Sequence, residues 1–162
     1  MPADPANSLK AFFTPASVAV IGASTHPEKL GYAVLKNLVE GGYSRRGQVF
    51  PINPKATEIL GQRAYATVQE VPGPVDLAVI VIPSPLVPQA LRTCGEKGIP
   101  AAIVISAGFR EAGREGLERE LELIEIARRY GIRLIGPNCL GVIDTFTPLN
   151  ASFAAGTPPK GP

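Results

Sequence analysis

The chain has 162 residues, of which 45% are hydrophobic and 19% are charged, and its net charge is +2. These values are typical of one globular domain with a buried core and exclude a largely disordered chain. The net charge is small and no basic run is longer than the pair Arg45 and Arg46, which argues against a nucleic-acid partner. The apolar runs are too short to cross a bilayer and no signal peptide is visible, so we expect a cytoplasmic protein without a membrane partner.

Predicted strands and helices alternate along the chain. Continuous apolar runs predict strands at 17–21, 49–52, 77–82, 101–105 and 133–135, with a sixth candidate at 142–143. Amphipathic segments between them predict helices at 32–40, 84–97 and 114–130. This alternation predicts an α/β fold, a Rossmann-like, doubly wound and mostly parallel sheet with helices on both faces.

The second and third predicted helices carry more specific expectations. Ser84 followed by Pro85 is typical of an N-cap and a first helical position, although Ser84 can also contact a ligand. In the third helix, the core-facing stripe is predicted to consist of Leu117, Leu121, Ile124 and Ala127.

The loops that follow the predicted strands are the candidate site, because a doubly wound sheet binds its ligand beyond the carboxyl ends of the strands. These loops are 22–24, 53–55, 83–85, 106–109 and 136–138. They are far apart in sequence, and the fold is expected to bring them together.

The first of these loops, Gly22-Ala23-Ser24, lies between a strand and a helix. Glycine lets the backbone approach a phosphate closely, and a helix N-terminus supplies unbonded N–H groups. The segment is not the GxGxxG of dinucleotide-binding proteins, because Ser24 stands where the second glycine would be. This motif alone leaves open both a phosphate site and a plain strand-to-helix turn.

The second loop, Asn53-Pro54-Lys55, distinguishes between classes of nucleotide. Proteins that bind NAD place a carboxylate here to bond the ribose hydroxyls. A lysine in its place suits a ribose that carries a phosphate, as in NADP or in the 3′-phosphoadenosine of coenzyme A. The alternative is a solvated lysine with no ligand.

The loops after the fourth and fifth strands combine unusual backbone with polar groups. Gly108 permits an unusual turn after Ser106 and Ala107, and Glu111 beyond it can act on a ligand or favour the start of the next helix. Asn138 carries both a donor and an acceptor, which suits an amide-bearing ligand such as pantetheine. Asparagine also suits turns without any ligand.

Cysteine and histidine chemistry is nearly absent from the sequence. Cys94 and Cys139 show no metal-binding spacing, so we expect two reduced thiols and no metal site. The only histidine is His26, which excludes a histidine dyad and leaves Cys139 without a catalytic partner. We therefore predict no catalytic residue in this chain.

Several of these segments, taken in order, resemble the CoA-binding domain of NDP-forming acyl-CoA synthetases. This family includes the ADP-forming acetyl-CoA synthetases and, more distantly, the succinyl-CoA synthetase alpha subunit. The resemblance extends over about residues 9 to 162. The segments that carry it are 17–24, 52–55, 76–80, 105–109, 136–141 and 149–153.

The resemblance implies a site for coenzyme A built from all five loops. The CoA phosphates would meet Gly22, Ala23 and Ser24, and the adenosine 3′-phosphate would meet Lys55. The adenine and pantetheine side would be flanked by Ile82, Pro83 and Ser84. The thiol end would lie toward Ser106, Ala107, Gly108, Pro137 and Asn138.

In this family the whole enzyme makes acyl-CoA through an acyl phosphate and a phosphorylated histidine. The resemblance implies that this histidine and the nucleotide-grasping fold belong to downstream domains or to a further subunit, and His26 does not match it. We expect a loose N-terminal segment at 1–8, the CoA-binding domain at 9–153 and a linker at 154–162. Such a chain would bind CoA or acyl-CoA without completing the reaction, and its oligomeric state stays open.

Other interpretations accompany this one. The first domain of bacterial protein lysine acetyltransferases resembles the same segments and would be regulatory there, and short independent CoA-binding proteins are a further alternative. Rivals from other classes are a non-catalytic oligomerisation domain and an NADP-dependent oxidoreductase. The oxidoreductase needs a substrate domain, for which this chain has no spare length.

Overall fold

A computed structural model describes residues 9–162, so the predicted loose segment 1–8 lies outside the described residues. The strands are β1 (Ser17–Ile21), β2 (Gln48–Ile52), β3 (Glu58–Ile59), β4 (Gln62–Arg63), β5 (Leu77–Ile80), β6 (Ala101–Val104), β7 (Arg133–Ile135), β8 (Gly141–Asp144) and β9 (Leu149–Ser152). The helices are α1 (Leu30–Glu40), α2 (Val87–Lys97) and α3 (Arg114–Tyr130).

The central sheet has five strands in the order β2-β1-β5-β6-β7. Every neighbouring pair is parallel. The chain leaves β1 toward β2 on one side and later returns to place β5 on the other side of β1, which makes the β1/β5 boundary the topological switch point. The predicted Rossmann-like α/β class is confirmed, and this sheet is parallel throughout.

Alternate side chains of the central strands enter two separate cores. On β1, Val18 and Val20 join the core that contains the apolar face of α1. Ala19 and Ile21 join the opposite core, with α2 and α3. All residues of β1, β5 and β6 are buried, as expected for parallel strands covered on both faces. Helices on both faces confirm the doubly wound architecture.

The predicted sixth strand forms, but it lies outside the central sheet. β8 pairs with β9 as a separate antiparallel hairpin. Leu149 and Ala151 of β9 are fully buried in the core on the α1 side. The sixth strand candidate is confirmed as a strand, but its partner was not predictable, because a short apolar run indicates a strand without specifying what it pairs with.

The core-facing side of α3 also differs from the prediction. Leu117 and Leu121 are 40% and 51% exposed, and the buried positions are Gly116, Leu123, Ile126 and Ala127. Of the predicted stripe, only Ala127 is buried. The apolar residues of this helix fit two overlapping stripes, and the choice follows from Gly116. A β-carbon there would lie 1.8 Å from the Phe109 carbonyl oxygen, so the Gly116 face of the helix packs directly on that backbone.

The predicted N-cap role of Ser84 is wrong. Residues Ser84–Leu86 form a 3-10 turn, and the α-helix begins only at Val87, with no side-chain cap hydrogen bond at either element. Because the turn separates Ser84 from the first α-helical N–H groups, its hydroxyl is left to interact elsewhere. Val87, Leu91 and Cys94, on one face of α2, are fully buried.

The segment after β9 begins with defined contacts. The Asn37 side chain donates to the carbonyl oxygens of Ser152 and Ala154, each at 2.9 Å. The Asn150 amide donates to Gly156 O at 3.2 Å and to Thr157 Oγ1 at 3.0 Å. Residues 158–162 are exposed and have no regular structure. The linker role of 154–162 stays a prediction.

In the part of the chain that is described, no helix has both the length and the apolar character needed to span a membrane.

Candidate functional site

A cleft of about 630 Å³ opens at the carboxyl ends of β1 and β5. This is the switch point of the sheet, where doubly wound proteins bind their ligands. Its walls come from loops that are distant in sequence and from the first turn of α1. The lining residues are Ile21, Gly22, Ala23, Ser24, Lys29, Leu30, Gly31, Ile52, Asn53, Pro54, Ala66, Val81, Ile82, Pro83, Ser106 and Ala107.

Two glycines let α1 approach the first loop. Gly22 has a φ of +97°, and a β-carbon there would lie 2.2 Å from Val81 O. A β-carbon at Gly31 would lie 1.9 Å from Gly22 O. Both positions therefore require glycine, because any side chain would push the helix or the neighbouring strand away. The close approach brings the N-terminus of α1 to the edge of the cleft.

The N-terminus of α1 presents backbone donors to the cleft. The N–H groups of Leu30 and Gly31 take part in none of the hydrogen bonds among residues 9–162, as is usual in the first turn of a helix. Ser24 Oγ accepts the His26 N–H at 3.0 Å, so its own hydroxyl hydrogen remains to be donated. These groups, with the helix dipole, suit an anion such as a phosphate.

Lys29 is the one charged residue among those that line the cleft in the described part of the chain. It is the N-cap residue of α1, and no side-chain hydrogen bond caps the helix there. Lys29 was not among the predicted site residues, because the predicted helix starts at residue 32 and leaves this lysine inside a loop. A helix start two residues earlier would have put a cation beside the predicted phosphate loop.

Asn53 connects the second loop to the first. Its Nδ2 donates to Ala23 O at 2.9 Å, and its Oδ1 accepts the N–H groups of Lys55 and Ala56 at 2.8 and 3.0 Å. The side chain thus orders both loops at the rim of the cleft. Asn53 and Pro54 line the cleft, whereas Lys55 is exposed and does not line it. The 3′-phosphate contact of Lys55 stays a prediction.

Ser106 joins the loops that follow β5, β6 and β7. Its Oγ donates to Ile82 O at 2.5 Å and accepts the Ile82 N–H at 3.1 Å. Its carbonyl oxygen accepts the Asn138 N–H at 3.0 Å. Asn138 itself is exposed with a φ of +53°, in the left-handed region that asparagine tolerates. Three predicted loops therefore meet around one hydroxyl-bearing residue.

The structure places the predicted site residues in two groups. Those that line the cleft are Gly22, Ala23, Ser24, Ile82, Pro83, Ser106 and Ala107. Those that lie outside its lining are Lys55, Ser84, Gly108, Pro137 and Asn138. Ser84 and Gly108 are neighbours, since a β-carbon on Gly108 would lie 2.4 Å from Ser84 Oγ.

The cysteines and the histidine lie outside the cleft lining. Cys94 is fully buried, and burial raises the pKa of its thiol to about 12. Cys139 donates to Val104 O at 3.4 Å, and burial also raises the pKa of its thiol. His26 is exposed beside Glu28. Raised thiol pKa values disfavour the thiolate that nucleophilic chemistry requires.

A family model for a CoA binding domain matches residues 16–145. The chain belongs to this CoA binding domain family. The match includes all five loops in full and every strand from β1 to β8. The resemblance drawn from the loop sequences is thereby confirmed.

Relatives of this CoA binding domain are ligases that form ADP. The acetate–CoA ligase II subunit alpha of Pyrococcus furiosus is 52% identical over 145 residues, which are 90% of this chain and 31% of that subunit. The acetate–CoA ligase of Methanocaldococcus jannaschii is 50% identical over 153 residues, which are 94% of this chain and 21% of that ligase. The chain thus spans a third or less of the length of these relatives. They agree with the synthetase interpretation and not with the acetyltransferase alternative.

A solved structure shows the same fold for this CoA binding domain. The acetyl-coenzyme A synthetase 1 of Ca. Korarchaeum cryptofilum, in complex with phosphate and ADP, matches with a TM-score of 0.87 and 42% identity. The match covers 92% of this chain and 31% of that chain. Sequence and architecture therefore assign the domain to the same group of proteins.

Proposed function

We propose that this chain binds coenzyme A in the cleft at the carboxyl ends of β1 and β5, as the CoA-binding unit of an ADP-forming acyl-CoA synthetase. One observation carries the proposal most directly. Lys29 and the unbonded N–H groups of Leu30 and Gly31 line the same cleft, in a chain of the CoA binding domain family. A cation and helix donors together suit the pyrophosphate of CoA.

The adenosine end is assigned to the second loop. Asn53 and Pro54 line the cleft beside Ile52, which offers apolar surface next to polar backbone. Lys55 follows directly and is exposed, so its flexible side chain is free to contact a ligand group at the rim of the cleft. A 3′-phosphate there would gain a charge-assisted contact that NAD cannot make.

The pantetheine end is assigned to the loops after β5, β6 and β7. Ile82, Pro83 and Ala107 line this part of the cleft, and the Ser106 hydroxyl bonds both backbone polar groups of Ile82. Ser84, Gly108, Pro137 and Asn138 would extend the site beyond the cleft lining. A mainly apolar wall with a few backbone polar groups suits a chain of methylenes and amides.

The whole protein would form a thioester from an acyl phosphate and CoA. The phosphorylated histidine and the nucleotide-grasping fold would belong to further domains or a further subunit, and residues 154–162 would lead toward them. Residues 9–153 would be the CoA-binding unit, and a cytoplasmic location remains part of the proposal. CoA would then be a substrate of the whole enzyme.

Isothermal titration of the chain with CoA, dephospho-CoA, NADP and NAD tests the proposal. We expect CoA to bind most tightly and dephospho-CoA, which lacks the 3′-phosphate, to bind more weakly. Tighter binding of NADP than of CoA would overturn the assignment and favour the oxidoreductase class. No binding of CoA, combined with a stable dimer in sedimentation, would favour an oligomerisation domain.

The variant Lys55→Ala separates the roles within the site. It should weaken CoA binding by about 1–3 kcal/mol, typical of a lost charge-assisted contact, and should leave dephospho-CoA unaffected. Lys36→Ala is a matched control, because Lys36 is an exposed lysine of α1 that lies outside the cleft lining. Equal loss for both ligands would remove the 3′-phosphate role of Lys55.

A further inference from the structure

Two side chains from outside the cleft form hydrogen bonds with the backbone of Gly108. Arg119 Nη1 donates to Gly108 O at 2.8 Å. On the other side of the same residue, Glu111 Oε1 accepts the N–H groups of Gly108 and Phe109 at 2.5 and 3.1 Å. Both polar groups of one glycine are thus bound by charged side chains, which make stronger hydrogen bonds than neutral ones.

Gly108 follows Ala107, a residue of the cleft wall whose backbone N–H and carbonyl oxygen form no hydrogen bond within residues 9–162. On the other side of Ala107, Ser106 is held by Ile82 and Asn138. Ala107 therefore lies between two immobilised residues, with its peptide groups left for a ligand.

Arg119 also links this loop to the loop after β5. Its Nη1 lies 3.4 Å from Ser84 Oγ, and Gly108 packs directly against Ser84. Next to this contact, Phe109 is fully buried. The guanidinium thus stands behind the cleft wall rather than in it, since Arg119 does not line the cleft.

We propose that Arg119 and Glu111 are positioning residues that hold the Ala107 peptide groups in place for the amide-bearing pantetheine end of CoA. This inference depends on the proposed CoA binding and assigns roles to two residues that the binding site itself does not contain. Preorganised donors and acceptors bind a ligand more tightly because they lose less conformational freedom on binding.

The test compares CoA with adenosine 3′,5′-bisphosphate, a fragment that carries the phosphorylated nucleoside but no pantetheine. Titration calorimetry of Arg119→Ala should show CoA binding weakened roughly tenfold, in line with a lost hydrogen bond to a charged group. The affinity for the fragment should stay within about twofold. Arg119→Lys keeps a donor and a positive charge, so it should recover part of the CoA affinity.

Arg92→Ala is the matched control, because Arg92 pairs with Glu122 between α2 and α3 without contact to the loop. It should leave both affinities unchanged. Glu111→Ala, at an exposed position, provides a second variant should Arg119→Ala fail to fold, and it should show the same selective loss for CoA.

The outcomes separate this inference from the function on which it depends. Unchanged CoA affinity in both Arg119→Ala and Glu111→Ala, or an equal loss for CoA and the fragment, overturns the positioning role while leaving the proposed CoA binding intact. Failure of the unaltered chain to bind CoA overturns the proposed function and this inference with it. A selective loss of CoA affinity with normal fragment binding supports both.

Discussion

Gly31 packs directly on the backbone of Gly22, so that a β-carbon at Gly31 would lie 1.9 Å from the Gly22 carbonyl oxygen. The contact joins the first turn of α1 to the loop after β1 and sets the depth of the cleft between them. Alanine ordinarily stabilises a helix relative to glycine by about 1 kcal/mol. Whether alanine at position 31 stabilises or destabilises the domain therefore shows whether this contact is tight.

Gly31→Ala is predicted to destabilise the domain by about 1–3 kcal/mol, since overpacking against backbone cannot relax through a rotamer change. It should also weaken CoA binding, because α1 must move away from the phosphate loop. Urea unfolding and titration calorimetry measure the two effects. Gly161→Ala serves as the control, since nothing lies within 4 Å of a β-carbon there. Stabilisation by Gly31→Ala would show that the contact is not tight.

Lys29→Ala is predicted to weaken CoA and dephospho-CoA equally, by about 1–3 kcal/mol. The reason is that Lys29 lies at the N-terminus of α1, where we expect the pyrophosphate that both ligands share. In titrations at increasing ionic strength, the difference in CoA affinity between Lys29→Ala and the unaltered chain should shrink, because salt screens the interaction. A loss confined to CoA would instead move the 3′-phosphate to Lys29.

Glu111 is predicted to stabilise the domain at neutral pH and to lose this contribution in acid. The N–H groups of Gly108 and then Phe109 hold the pKa of this carboxyl below its ordinary value of 4.5. A depressed folded-state pKa stabilises the domain above the unfolded value, and this contribution is lost as the pH falls through the folded value. The stability difference between the unaltered chain and Glu111→Gln should therefore be present at pH 7 and shrink below pH 4.5.

Urea unfolding between pH 7 and pH 3 measures this difference. Glu115→Gln is the control, at an exposed position in the first turn of α3. A pH-independent difference for Glu111→Gln would mean that the carboxylate charge contributes nothing to holding the loop.

Truncation of Leu123 is predicted to destabilise the domain far more than truncation of Leu121. Leu123 is 1% exposed and Leu121 is 51% exposed. Leu123→Ala should cost about 2–5 kcal/mol through lost burial and a residual cavity, whereas Leu121→Ala should change stability by about 0.5 kcal/mol or less. Thermal and urea unfolding of the two variants provide the measurement. A larger loss for Leu121→Ala would restore the stripe that periodicity alone suggests.

The sequence by itself determined the sheet and the region of the site. Uninterrupted apolar runs are typical of strands that are buried on both faces, so the positions of β1, β5 and β6 were predictable from these runs. Alternation of such runs with amphipathic segments implies a parallel sheet, and that topology places the ligand at the carboxyl ends. Loop residues such as Gly22 and Ser106 were therefore predictable from the sequence alone.

Only the tertiary structure decided contacts between segments that are distant in the chain. Periodicity could not choose between Leu121 and Leu123 because neighbouring faces of one helix carry similar apolar residues, and packing of Gly116 on the Phe109 backbone makes that choice. Nor could it find Lys29 in the cleft or Arg119 behind Gly108. Local pattern encodes which residues avoid water, whereas the partners of a side chain depend on how whole elements pack in space.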